Sequence, residues 1–299
     1  MENQTGAQPE SKPKIHTLPD AGFCYGVRKA VSKALATARD YDEEAVYTLG
    51  EIVHNPLVVN DLQQEGITVA ETPEKISSGS VVIIRSHGVP PQVIIDFKKR
   101  GVSVVDATCP KVRRVQRAAE KFRNEHWPVT IVGRQDHPEV RGVLARCDDE
   151  AEIVDSQSAA QQLSHRQQRA VLFQTTFPPD LVEDILGVLQ QKTGQIQVED
   201  TLCHVVSGRR QAVRDMAEKV EALVVVGGKN SSNTSALVGV GTEAGIPSYH
   251  VETADDLPVS HLGKFGEVAV VGGTSTPQSS INSVKDRLLS ILDSRTWSN

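Results

Sequence analysis

The sequence predicts an α/β protein made of three small, pseudo-symmetric lobes with mostly parallel sheets. The first observation behind this is a threefold internal repeat. Cys24, Cys109 and Cys203 each open an amphipathic stretch that leads to an apolar run closed by a glycine. The glycines Gly50, Gly133 and Gly227 follow their cysteines by 26, 24 and 24 residues. The second observation is an alternation of helical and strand periodicity along the chain, which favours parallel strands joined by helical crossovers. The third is that polar residues collect just after the apolar runs, at the carboxyl ends of strands, where ligands of such sheets gather.

The elements follow in order. Residues 1–14, "MENQTGAQPESKPK", form a polar, loose tail with no apolar signal-peptide core. Residues 15–25 carry an N-terminal strand that completes the third lobe and delivers Cys24. The first lobe, residues 26–108, opens with a helix whose apolar face is Val27, Ala30, Val31, Ala34, Leu35 and Ala38. Then come the strand "AVYTLG", His54 four residues past Gly50, a second helix, and the short strand "ITVA". The strand "VVIIRSH" ends at His87, a helix covers Pro90–Arg100, and "VSVVDATC" delivers the next cysteine. The second lobe, residues 109–199, repeats this plan with Val112, Val115, Ala118, Ala119 and Phe122 on its first helix, then "VTIVG" and His137. Its second helix, "VRGVLARC", carries Cys147; "AEIV", "AVLFQTT", a helix over Pro178–Lys192 and "IQVEDTLC" complete it. In the third lobe, residues 200–299, Ala212, Val213, Met216, Ala217 and Val220 mark the first helix. "LVVVG", Ser231, "SYHV", "VAVVGGTS" and a helix over Pro277–Asp293 follow.

Composition excludes several partners. The 299-residue chain has a net charge of −6 and no basic block or interleaved basic and aromatic residues, so nucleic acid is not expected. No run is long and apolar enough for a membrane span, which predicts a cytoplasmic protein. Four cysteines are too few for a disulfide framework and point to burial, catalysis or metal binding.

Three equivalent cysteines on three lobes would converge near a common axis and ligate a cofactor; otherwise they are a packing solution repeated by duplication. Cys147 has no counterpart and reads as a buried structural residue. Zinc normally takes a fourth protein ligand or an open position for hydrolysis. An iron–sulfur cluster on three thiolates leaves one iron open to substrate. The residues alone leave both open and favour a catalytic site. Around it, Ser231, Ser232 and Asn233 in "GGKNSSNTS" open a helix and suit a phosphate, or simply cap it. His54 and His87 stand at strand ends as anion donors or structural hydrogen-bond donors. Glu139, two residues past His137, either complements a helix dipole or holds a proton for substrate. Thr175 and Thr176 occupy the same repeat slot as His87, where they relay a proton or end a strand.

The stretches "GFCYGVRKAV", "EIVHNP", "SHGV", "DATCP", "HPEV", "QTT", "DTLC", "KNSSN" and "STP" occur in the order of the 4-hydroxy-3-methylbut-2-enyl diphosphate reductases, the IspH/LytB family, which the chain resembles from about Ile15 to its last helix. The resemblance implies a trefoil of three α/β lobes around one [4Fe–4S] cluster per chain, held by Cys24, Cys109 and Cys203. It implies the last step of the methylerythritol phosphate pathway, a two-electron reductive dehydroxylation giving isopentenyl and dimethylallyl diphosphate. Electrons would come from a ferredoxin or flavodoxin. By position, His54, His87, Ser231, Ser232, Asn233 and Ser275 resemble the diphosphate-binding set. His137 would bind and orient substrate, Glu139 would supply protons, and Thr175 would contact the substrate hydroxyl. Two departures stand out. "CHVVSGRRQ" is one residue longer than the family's usual turn and has Val206 where a threonine is usual, with Ser207 nearest. "VGGTSTP" has Val271 and Gly272 in place of Thr and Ala. A homologue that carries the cluster and binds a diphosphate without turnover is the alternative; a zinc hydrolase on the same thiolates is a third reading.

Overall fold

The computed structural model describes residues 13–18 and 21–294, so residues 1–12 of the expected tail lie outside the described residues. Along the chain run β1 (Lys14–Thr17), α1 (Tyr25–Asp40), β2 (Val46–Leu49), α2 (Pro56–Gln64), β3 (Ile67–Ala70), β4 (Val81–Ile84), α3 (Pro91–Lys99) and β5 (Ser103–Asp106). There follow α4 (Pro110–Asn124), β6 (Val129–Val132), α5 (Pro138–Leu144), β7 (Glu152–Val154), α6 (Gln157–Gln162), β8 (Arg166–Phe173), α7 (Val182–Gln191) and β9 (Thr193–Glu199). The last part comprises α8 (His204–Ala217), β10 (Ala222–Val226), α9 (Ser232–Glu243), β11 (Ser248–Val251), α10 (Val259–Leu262), β12 (Glu267–Gly272) and α11 (Gln278–Asp293).

These strands form three four-stranded sheets in the orders β3-β2-β4-β5, β7-β6-β8-β9 and β11-β10-β12-β1. Every pairing is parallel. Parallel sheets are covered by helices on both faces, so their central strands read as unbroken apolar runs. Val81–Ile84, Val129–Val132 and Ala222–Val226 are buried at every position for that reason. The N-terminal β1 pairs with β12, with Ile15 opposite Val268.

The chain divides into two compact units, residues 23–208 and residues 1–22 with 209–299. The first holds two sheets and the second holds the third. Each sheet is coated on both sides; in the third, Val224, Val270 and Leu288 pack on one face, and Val225, Leu237 and Val271 on the other.

β1 begins at Lys14, the last residue of the expected tail, the short helices α6 and α10 add to the expected elements, and the chain around Cys147 differs from its expectation. Cys147 does not sit on a helix, because α5 ends at Leu144 and Asp148 and Asp149 adopt φ of +55° and +60°. The chain folds back there, with the amides of Cys147 and Asp149 donating to the Leu144 carbonyl. Cys147 is buried against Phe122 and Val143, and burial pushes its thiol up to about 11, as suits a structural residue.

Candidate active site

In each sheet the strand order reverses direction between two neighbouring strands: β2 and β4, β6 and β8, β10 and β12. A crevice opens beyond the carboxyl ends of such a pair, because the outgoing loops diverge to opposite sides. The predicted substrate-site residues fall in these loops or in the first turn of the helix that follows, whereas the three cysteines follow the edge strands β1, β5 and β9.

The cysteines stand at the amino ends of helices. Cys24 caps α1, its Sγ accepting from the Val27 amide at 3.4 Å. Cys109 caps α4, whose first residue is Pro110, and Cys203 immediately precedes α8. A helix amino end favours negative charge and so favours thiolate, the form that binds metals. Burial raises the Cys109 thiol, the amides of Lys111 and Val112 lower it, and the sulfurs of Cys24 and Cys203 raise it further, so the three thiols act on one another. Gly26 leaves room for them: a Cβ there would lie 2.5 Å from the Cys109 Sγ and 3.9 Å from the Cys24 Sγ. Among the described residues no three His, Cys, Asp or Glu side chains could hold a single metal ion. Thiolates that bind a cluster each take a different iron and need not meet at one point. The donor set suits a multi-iron group.

Two backbone hydrogen bonds tie the thiols to the loops after β4 and β8. The Cys109 amide donates to the Ser86 carbonyl at 2.9 Å, and the Cys203 amide to the Thr175 carbonyl at 2.8 Å. Thr175 is therefore the counterpart of Ser86, and Thr176 that of His87. Helix caps also adjust the other repeat slot. His137 caps α5 and Ser231 caps α9, but α2 is capped by Asn55, one residue after His54.

At the first sheet the rings of His54 and His87 lie 4.9 Å apart, and His87 meets His137 edge-on at 5.4 Å. His54 Nδ1 is 3.5 Å from the Glu51 carboxylate. His87 Nδ1 is buried without a hydrogen-bond partner. Burial, then the neighbouring histidines and Arg85, push His87 well below its usual range. His137 falls to about 4, again mainly through burial. Both imidazoles are thus neutral near pH 7. His137 Nδ1 accepts from the Glu139 amide at 3.2 Å, which leaves its proton on Nε2, a donor available to a ligand. Arg85 was not singled out from the sequence. Its Nε is buried without a hydrogen-bond partner, and a Cβ on Gly50 (φ +69°) would lie 2.7 Å from its Nη1. A cation between the strand end and His87 in "IRSH" was the available signal.

At the second sheet Glu139 is 1% exposed. Its carboxyl accepts from the Thr175 amide at 2.6 Å and the Thr175 hydroxyl at 2.8 Å. Burial raises it to about 7, against the pull of those two bonds. The group therefore exchanges a proton near neutral pH, which suits an acid catalyst.

The third sheet, in the other unit, presents hydroxyls and an amide. Ser231 Oγ accepts from the Thr234 amide at 3.3 Å, and Asn233 Nδ2 donates to Thr274 Oγ1 at 3.2 Å. Asn233 Oδ1 and Thr234 Oγ1 are buried without partners. Ser232 is exposed and Ser275 is buried. The Thr276 hydroxyl donates to the Val226 carbonyl at 2.8 Å and fixes the turn after β12. A cavity of about 540 Å³ lined by Arg123, Trp127, Cys147 and Arg166 lies at the amino end of the second sheet, away from His137 and Glu139 at its carboxyl end.

The sequence matches the LytB protein family over residues 15–289. It is 36% identical over 273 residues to a 4-hydroxy-3-methylbut-2-enyl diphosphate reductase of Caldanaerobacter subterraneus subsp. tengcongensis, covering 91% of this chain and 95% of that one. The Aquifex aeolicus protein of the same name is 34% identical over 276 residues, with the same shares of 91% and 95%. Among solved structures, the E-1-hydroxy-2-methyl-but-2-enyl-4-diphosphate reductase from Plasmodium falciparum superposes with a TM-score of 0.87 at 25% identity, covering 92% of this chain and 88% of that one.

Proposed function

The chain belongs to the LytB family, and we propose that it reduces (E)-4-hydroxy-3-methylbut-2-enyl diphosphate to isopentenyl and dimethylallyl diphosphate in the cytoplasm. Two electrons and two protons enter; the allylic hydroxyl leaves as water and one proton ends on carbon. Iron–sulfur chemistry is the family's means of supplying the electrons, and we assign a [4Fe–4S] cluster to Cys24, Cys109 and Cys203.

The observation that carries the reading is the position of Thr175. Its carbonyl holds the Cys203 amide while its amide and hydroxyl hold the buried Glu139 carboxyl. One residue thus connects a metal-binding thiol to a proton source poised near pH 7. We assign proton delivery to Glu139, contact with the substrate hydroxyl to Thr175, and orientation of substrate to His137 through Nε2–H. His54 and His87, with Ser231, Ser232, Asn233 and Ser275, are assigned to the diphosphate, whose anionic oxygens accept from imidazole, hydroxyl and amide donors. A water-poor surrounding at Glu139 strengthens each of these polar contacts. The electron donor in this reading is a ferredoxin or flavodoxin.

A second reading is a family member that binds a diphosphate without turning it over. What favours it is the turn after Cys203. Val206 is buried there, and the Ser207 hydroxyl donates to the His204 carbonyl at 3.3 Å, so it is engaged within its own helix. Anaerobic preparation should give a brown protein with about four irons per chain, and reduced viologen should drive turnover of the allylic diphosphate. Cys203→Ser should lose both colour and turnover. A brown, inert native protein that still binds the diphosphate selects the second reading. A colourless zinc protein overturns both.

A further inference from the structure

We propose that the amino-terminal halves of α1 and α4 form the docking surface for a small acidic one-electron carrier protein. The inference rests on the reductase reading above and names where the reductant of that site lands.

The charge pattern is local. Tyr25–Lys33, "YGVRKAVSK", carries Arg28, Lys29 and Lys33; Pro110–Arg117, "PKVRRVQR", carries Lys111, Arg113, Arg114 and Arg117. Neither stretch contains a carboxylate, in a chain whose net charge is −6. Beyond these halves the same helices mix signs, with Arg39 and Asp40 on α1 and Glu120, Lys121 and Arg123 on α4. All seven cations are exposed. The two rows meet at the end of β5, where Lys33 Nζ donates to the Asp106 carbonyl at 2.9 Å and Arg113 pairs with the Asp106 carboxylate at 2.9 Å. Asp106 and Glu199 neutralise Arg113 and Arg114. Arg28, Lys29, Lys111 and Arg117 pair with no carboxylate among the described residues, so the surface keeps a positive excess.

Helix stability does not account for this arrangement. The amino end of a helix favours acidic residues and disfavours cations within its first turns, yet the first turns of both helices contain no acid. A solvated face would normally mix both signs. The position does account for it, because Cys24 and Cys109 cap these two helices. Tyr25, adjacent to Cys24, is 69% exposed, and Val205, two residues past Cys203, is 43% exposed. Exposed apolar side chains beside the thiols with cations around them have the composition of an electron-transfer interface, which is small, weak and steered by charge. An acidic partner seated there would bring its redox centre to the edge where the cluster thiols lie.

The test uses the anaerobically prepared native protein and the variant Arg28→Gln/Lys29→Gln/Lys111→Gln, with Lys98→Gln/Lys99→Gln on α3 as a control. The probe is a low-potential bacterial ferredoxin. Cluster absorbance and turnover with reduced viologen should be unchanged in both variants. With reduced ferredoxin as donor, the triple variant should show a KM about tenfold higher and a flatter dependence of kcat/KM on ionic strength; the control should match the native protein. An unchanged ferredoxin KM overturns the proposal. Equal losses with viologen and ferredoxin also overturn it, since the cations would then serve the cluster itself. Titration with oxidised ferredoxin reads docking without turnover: salt-sensitive binding that the triple variant loses supports the surface even if the reductase reading fails, and no binding to the native protein sinks it.

Discussion

The loops of the first and second sheets are built to one plan and end in different chemistry. In both, the residue two past the strand end accepts a cysteine amide through its carbonyl, Ser86 for Cys109 and Thr175 for Cys203. In both, a side chain caps the next helix before a proline, Asn55 in one and His137 in the other. Two residues past the cap stand Leu57 and Glu139. Leu57 is half-buried and carries no proton, and the Ser86 hydroxyl donates to the Ile52 carbonyl at 3.3 Å. Glu139 is buried and takes both polar groups of Thr175. The repeated backbone holds thiols; a few side chains at equivalent positions give one loop set paired imidazoles and the other a buried carboxyl, the groups proposed above to bind the anion and to supply the proton.

The largest expected effect separates the two sets directly. Glu139→Gln keeps the size and the bond from the Thr175 amide, reverses the bond with the Thr175 hydroxyl and removes the titratable proton, so kcat should fall by about 10² to 10⁴. The Kd for the allylic diphosphate should stay within about threefold, and cluster absorbance should not change. Retained turnover would remove Glu139 from the proton path. His87→Phe should do the reverse: about ten- to a hundredfold weaker diphosphate binding, with kcat within a few-fold. A pure kcat defect there would break the assignment of the first set to anion binding.

The pH profile should sharpen the same contrast. A proton donor with a pKa of about 7 is competent below that pH and ionises above it. The kcat of the native protein should therefore be flat on the acid side and fall about tenfold per unit well above pH 7. The imidazoles of His87 and His137 have lowered pKa values and are neutral across that range. An incoming diphosphate raises them, so binding near pH 6 should take up protons, measurable by calorimetry in buffers of different ionisation enthalpy. Proton release on binding would contradict neutral imidazoles.

Much of this was legible in the sequence where it rests on periodicity and spacing. The repeat of cysteine, helix and glycine-closed strand located all three sheets, because parallel strands buried on both faces need continuous apolar runs such as "VVII" and "LVVV". The pairing of Thr175 with Glu139 was not legible. It joins residues 36 apart through a backbone amide whose direction depends on where β8 stops. Counting from glycine also aligned His54 with His137, although the first loop holds one more residue before its cap. The end of α5 escaped because two aspartates with positive φ close it, and no glycine or proline marks them. The partner-free Nε of Arg85 depends on tertiary packing around Gly50.

Arg85 gives the smallest effect and the finest test of the contrast. It is half-buried beside the histidines, and it lowers the pKa of both His87 and His137. Burial lowers its own pKa, while Glu71 and Glu51 raise it, yet it forms no ion pair among the described residues. A guanidinium remains charged even so, which makes Arg85 a fixed cation beside His87 and His137; Arg134 also acts on His137. At an effective dielectric near 20, one charge acting on a diphosphate without touching it is attenuated to about 1 kcal/mol after solvent screening. Arg85→Met keeps most of the volume and removes the charge, so diphosphate binding should weaken about fivefold with kcat unchanged. The proton uptake on binding should also rise in that variant, because without the neighbouring cation the imidazoles protonate more readily. Weaker binding with unchanged proton uptake would place Arg85 in direct contact with the anion and away from the histidines.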